Sequence, residues 1–299
     1  MPESALQYLD PRVVTRLANM ELRARLVVEG FITGLHRSPY HGFSVEFAEH
    51  RQYMPGDAIR FVDWKIYGRT DRYYIKQYEE ETNLRSTILL DTSMSMGYRS
   101  GDNVSKLEYG ASLAAALSYL MIRQQDAVGL ACFDEGLRNY LPPHATRGYL
   151  RQLLVMLQKV RPSGKTGAAK ALHQAADRMK RRGLVIIISD LLDDPPGVIG
   201  ALKHFRHKKN EVIVMQVLDP IERTFAFGSD AVFKDVETSE QITTLPWQIQ
   251  SSYRDAMARF LDTYKRECRE HAIDYVMMDT ATPFDTALTG YLARRERLH

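Results

Sequence analysis

The sequence predicts an α/β protein: a doubly wound, mainly parallel sheet with helices on both faces, plus a small β-rich module. Three observations predict it. From Thr87 onward, short apolar runs alternate with helix-length amphipathic segments, the rhythm of βαβ units. The run "LVIIIS" (184–189) is continuously apolar, as a parallel strand buried on both faces must be. Between His41 and Leu84 the pattern is different: short aromatic-rich β-type runs broken by "MPGD" and "GRTD", both of them turn chemistry. At 299 residues, 44% of them hydrophobic, the chain can bury a large core.

The elements follow in order. Asp10 and Pro11 open a helix as N-cap and first helical residue; Val13, Val14, Leu17, Met20 and Val27 share its apolar face, and Gly30 is read as its end. "FSVEFAEH", "IRFVDWKIY" and "RYYIKQYEE" are the β-type runs of the small module. "TILLD", "AVGLACF", "LVIIISD", "EVIVMQVLD" and "IDYVMMDT" are then strands. Between them lie the helices "KLEYGASLAAALSYLMIRQQ", "GYLRQLLVMLQKV", "GAAKALHQAADRMKRRG" (closed by its glycine), "PGVIGALKHFRHKK" and "QSSYRDAMARFLDTYKRECREH". "PFDTALTGYLARR" is a closing helix. Short alternating runs at about 222–247 read as an inserted β-hairpin. The expected division is 1–84, helix and β-rich module, and 85–299, the α/β domain.

Several function classes are set aside by composition. A formal charge of +3 makes no electrostatic case for nucleic acid. The basic runs "RMKRR" and "KHFRHKK" are read as helix C-termini, where cations complement the dipole. Cys132 and Cys268 read as buried thiols. No apolar stretch approaches the roughly 20 residues of a membrane span, and "MPESALQYLDPRVV" has no leader pattern. A cytoplasmic protein with no membrane span is therefore expected. "SGKTG" is not a phosphate loop, because the pattern needs glycine where Lys159 stands.

Ligands of doubly wound sheets bind at the carboxyl ends of the strands. There the first α/β strand ends in Asp91, followed by Ser93 and Ser95, and a later strand ends in Ser189 and Asp190. The loop "RPSGKTGAAKAL" delivers Thr166. Asp91, Ser93, Ser95, Thr166 and Asp190 make an oxygen-only set without His or Cys, which suits Mg²⁺ first and Mn²⁺ or Ca²⁺ otherwise, not Zn²⁺.

This set resembles the metal-ion-dependent adhesion site of von Willebrand factor A-type domains. More widely, "GLHRSPYHGFSVEFAEHRQYMPGDAIRFVDWKIYGRTDRYYIKQYEEETNLRSTILLDTSMSM", "KDVETSEQ" and "LTGYLARR" are similar to the signature of the domain-of-unknown-function 58 family. That resemblance implies the A-type fold and a role as partner or adaptor of a MoxR-type AAA+ ATPase. In A-type domains a partner's acidic side chain completes the metal's coordination. The chain departs from the family pattern at Gly167, where a polar residue is more frequent, and at Gly68, where alanine is usual.

The reading is thus a non-enzymatic, metal-dependent protein-interaction protein. A metal-assisted hydrolase is the competing class, although no His or Glu stands ready as base in these loops; a scaffold with a vacant site is the third. In "EHRQYMPGDAIRFVDW", Arg51, Asp57, Arg60, Asp63 and Trp64 read either as an ion-pair lattice or as a partner-docking surface.

Overall fold

The computed structural model describes residues 10–15, 19–35, 50–52, 67–69, 71, 73–76, 84–227, 231–234, 241–285 and 288. Two compact units divide the chain, one of Met1–Gly34 with Leu84–His299 and the other of Leu35–Asn83. Helices α1 (Pro11–Val14) and α2 (Met20–Leu35) open the first. Asp10 caps α1, its Oδ1 accepting from the Arg12 N–H at 2.8 Å. The expected single helix is in fact two, because Asn19 caps afresh: its Oδ1 accepts from the Glu21 N–H at 2.8 Å. Gly30 lies inside α2 and does not end it; a mid-helix glycine costs about 1 kcal/mol but breaks no hydrogen bond. Val14, Met20, Ala24, Val27 and Val28 are buried, and Arg12 reaches Asn103 Oδ1 at 2.9 Å, which ties these helices to the α/β body.

In the smaller unit, β1 (His50–Gln52) pairs antiparallel with β2 (Tyr74–Lys76), Arg51 standing opposite Ile75. Asp57, Arg60, Asp63 and Trp64 lie outside the described residues, as does the side chain of Arg51.

The body is built on a six-stranded sheet: β3 (Arg85–Asp91), β4 (Ala127–Phe133), β5 (Leu137–His144), β6 (Leu184–Ser189), β7 (Glu211–Leu218) and β10 (Asp274–Asp279). The order is β10-β7-β6-β3-β4-β5, parallel except for β5 at the edge. Sequence patterning missed β5, because Pro142 and Pro143 argue against a strand and are tolerated only at an edge or bulge. A two-stranded hairpin, β8 (Ala231–Lys234) with β9 (Gln241–Thr244), follows β7. It is narrower than expected, because Glu222 belongs to a short helix, α7 (Pro220–Thr224).

The remaining helices are α3 (Lys106–Arg123), α4 (Arg147–Lys159), α5 (Ala168–Arg178), α6 (Pro195–His207) and α8 (Pro246–Glu270). Strand residues alternate between faces. Leu89, Val185, Ile187, Val212 and Val214 meet α5, α6 and α8 in one cluster. On the other face α3 comes so close at Gly110 that a Cβ there would stand 3.1 Å from Leu90 and Ile188 side chains. This is the expected doubly wound α/β fold, with a mainly parallel sheet between helices. Cys132 and Cys268 are free and buried, and burial pushes each thiol up to about 12. Among the described residues, no helix is long and apolar enough to cross a membrane.

α3 opens with a capping box: Ser105 Oγ accepts from the Glu108 N–H, and Glu108 accepts from the Ser105 N–H. Ser105→Ala is expected to cost about 1 kcal/mol, read as a lowered urea midpoint with unchanged slope.

From β3 the chain winds through β4 and β5 on one side and β6, β7 and β10 on the other. The switch point of the topology therefore lies between β3 and β6, and their carboxyl ends stand side by side there.

Candidate functional site

Strand register sets the first contacts. Leu90 pairs with Ile188, so the next residues, Asp91 and Ser189, come level. Ser189 Oγ donates to Asp91 Oδ2 at 2.6 Å, and the Ser93 N–H donates to Asp91 Oδ1 at 2.9 Å. That second bond folds the chain back behind the strand into a 3₁₀ turn, Met94–Gly97. The Ser93 and Ser95 hydroxyls come to 3.0 Å of each other, and Ser95 Oγ lies 3.5 Å from Thr166 Oγ1.

Thr166 is brought there by loop-to-loop bonds. The Ser163 N–H donates to Thr92 O at 2.8 Å and the Met94 N–H to Gly164 O at 3.2 Å. Gly164 has φ of +71°, and a Cβ on it would lie 2.6 Å from Asp134 Oδ2, so the position requires glycine. At Gly167 a Cβ would stand 2.6 Å from Glu135 Cα, so any side chain there would have to displace the Glu135 backbone.

Asp190 is fully buried. Its Oδ1 accepts from the Leu192 N–H at 3.2 Å, and its carbonyl accepts from Gln216 Nε2 at 2.7 Å. Leu191, next to it, has φ of +53°, a left-handed conformation that costs a branched residue roughly 1–2 kcal/mol. Complete burial and the bond its N–H donates to Ser189 Oγ (3.0 Å) hold it there.

Two groups at this edge were not anticipated from the sequence. Lys106, the first residue of α3, has a side chain with 0% exposure, and its Nζ donates to Asp190 Oδ2 at 2.8 Å and to Glu222 Oε1 at 2.6 Å. Glu222 is aimed by its own capping box, its Oε2 accepting from the Asp219 N–H at 2.8 Å. A signal for Lys106 does exist in the sequence: a cation at a helix N-terminus opposes the macrodipole, and such a lysine needs carboxylate partners.

The charges do not balance around Lys106. Burial, followed by the negative charge of Asp190, raises the Asp91 carboxyl to about 7, against the bonds from Ser189 and Ser93. Burial also raises Glu222 in spite of Lys106. The Lys106 ammonium, which burial alone would pull down, is raised by Asp190 and Glu222. One cation thus serves an excess of buried carboxylate. Asp91 and Ser93 are buried while Ser95 and Thr166 are half-exposed, so the oxygen cluster opens to solvent on the hydroxyl side. Oxygen donors around surplus negative charge fit a hard divalent cation.

A family model described as "protein of unknown function DUF58" matches residues 49–267. The chain belongs to the DUF58 family. All five oxygen donors, with Lys106 and Glu222, fall inside the matched DUF58 region. Uncharacterized proteins of Mycobacterium tuberculosis and Mycobacterium bovis are each 26% identical over 256 residues, spanning 84% of this chain and 78% of theirs. Among solved structures, the conserved hypothetical protein BatB from Bacteroides thetaiotaomicron aligns over 72% of this chain and 99% of its own, with 19% identity and a TM-score of 0.48. An aerotolerance-related membrane protein from Bacteroides fragilis aligns over 71% and 99%, with 19% identity and a TM-score of 0.49.

Proposed function

We propose that this DUF58 chain is a metal-dependent protein-interaction protein whose partner is a MoxR-type AAA+ ATPase. The observation that carries the reading is the convergence of Asp91, Ser93, Ser95 and Thr166 through contacts of 2.9–3.5 Å, beside the buried carboxylate of Asp190. Ser93, Ser95 and Thr166 hold a divalent cation, Mg²⁺ first, directly; Asp91 and Asp190 hold it directly or through water. A bound cation supplies an electrophilic position that an acidic side chain of the partner fills. Neutral hydroxyls suit that task, because they leave more of the cation's charge for the incoming carboxylate. Ser189 and the Ser93 N–H orient Asp91 and limit its rotation, while Lys106 orients Asp190. The partnership with the ATPase rests on the family resemblance.

Immobilised protein is expected to capture its AAA+ partner from native lysate in Mg²⁺. Capture should fall at least about tenfold with EDTA or with Asp91→Ala, the loss of one charge-assisted bond to the cation. Equal capture in all three conditions sinks the metal-bridged mechanism. Turnover of phosphate esters that Asp190→Ala abolishes would favour the hydrolase reading instead.

A further inference from the structure

At the opposite pole of the sheet, the amino ends of β3 and β6 frame a cavity of about 220 Å³. Arg85, Arg178, Lys180, Arg181 and Arg182 all line it, and among the described residues no carboxylate does. Among the described residues none of these five cations stands in an ion pair. Two carboxylates adjoining lining residues in the chain are engaged elsewhere: Asp177, next to Arg178, by Lys208 at 3.0 Å, and Glu211, next to Asn210, by Arg206 at 2.8 Å.

The helix-end account of "RMKRR" covers only its first residue. α5 ends at Arg178 and Met179 is already extended, so Lys180, Arg181 and Arg182 lie beyond the last turn, where the dipole's effect falls off. The segment that carries them is anchored beyond its last cation. Gly183 packs so closely that a Cβ would fall 2.3 Å from Arg85 O. Its N–H donates to Asn210 Oδ1 at 3.0 Å, and its carbonyl accepts from the Glu211 N–H at 3.0 Å. Arg178 is held separately, its guanidinium 4.8 Å from the centre of the Tyr140 ring.

Crowding like charges around one concavity costs free energy that the fold recovers only when an anion enters. Guanidinium forks match phosphate oxygens two at a time. The volume is below the roughly 300 Å³ at which sites for drug-sized ligands begin, so a compact anion fits better than a polymer. We propose that this pocket binds a small, multiply charged phosphate compound of the pyrophosphate class, with Arg178, Arg181 and Arg182 contacting the phosphate oxygens. The site is separate from the Asp91 edge and does not depend on the metal reading.

Titration calorimetry with inorganic pyrophosphate in EDTA, at physiological ionic strength, tests it on the full chain. Wild type and Asp91→Ala are expected to bind alike. Arg181→Gln/Arg182→Gln, and separately Arg178→Gln, should weaken binding about tenfold or more; all three side chains are exposed, and thermal melting verifies that the variants fold. No binding by wild type at millimolar pyrophosphate overturns the proposal, as do variants that bind like wild type or binding lost in Asp91→Ala. A single-stranded oligonucleotide that binds where pyrophosphate neither binds nor competes overturns it in favour of a nucleic-acid surface.

Discussion

Lys106→Met is expected to lower the unfolding free energy by about 3–5 kcal/mol, the usual cost of removing one partner from a buried ion pair. The side chain is fully buried, with carboxylate oxygens at 2.8 Å and 2.6 Å. Methionine fills most of the volume but leaves Asp190 and Glu222 without their cation, next to a third buried carboxylate, Asp91. The loss therefore comes from uncompensated charge, not from a cavity. Urea unfolding at neutral pH in EDTA measures it, and an unchanged midpoint would refute the account of Lys106 as the site's internal counter-charge. The metal proposal adds that millimolar Mg²⁺ should raise the melting temperature of Lys106→Met more than that of wild type. Asp91→Ala added to the variant should erase that gain.

Asp91 is expected to make the metal-free protein less stable as pH rises. Burial and the charge of Asp190 raise its carboxyl from 3.8 to about 7. The folded state then keeps a proton that the unfolded chain releases at lower pH. This contribution to stability is greatest below the unfolded value. It declines through the window from about 4 to about 7, and above that window stability is lower by on the order of 4 kcal/mol. Asp91→Asn should remove that decline and should exceed wild type in stability at pH 8 in EDTA. Urea midpoints of both proteins across the window give the difference due to Asp91, since Glu222 remains in each. Parallel pH profiles for the two proteins would overturn the assignment.

Much of the fold was readable because its signals are local. "AVGLACF" and "LVIIIS" are strands to within a residue of what the apolar runs indicate. The edge strand β5 was not readable, since its two prolines are tolerated only because one side of it has no partner strand to bond. Likewise the start of the second helix turned on a cap at Asn19, and the more conspicuous Gly30 lies inside that helix.

By itself the sequence determined that two strand ends would carry carboxylates and that hydroxyls would follow the first, because strand length and alternation are properties of neighbouring residues. Only the tertiary structure decided what those carboxylates meet. Lys106 lies 84 residues from Asp190 and 116 from Glu222, and no pattern of short range encodes such a meeting. The same holds for the five cations of the opposite pole. Their number can be read in the chain, but that Asp177 and Glu211 pair with Lys208 and Arg206 and not with any of the five is settled by the packing of α5, α6 and β7.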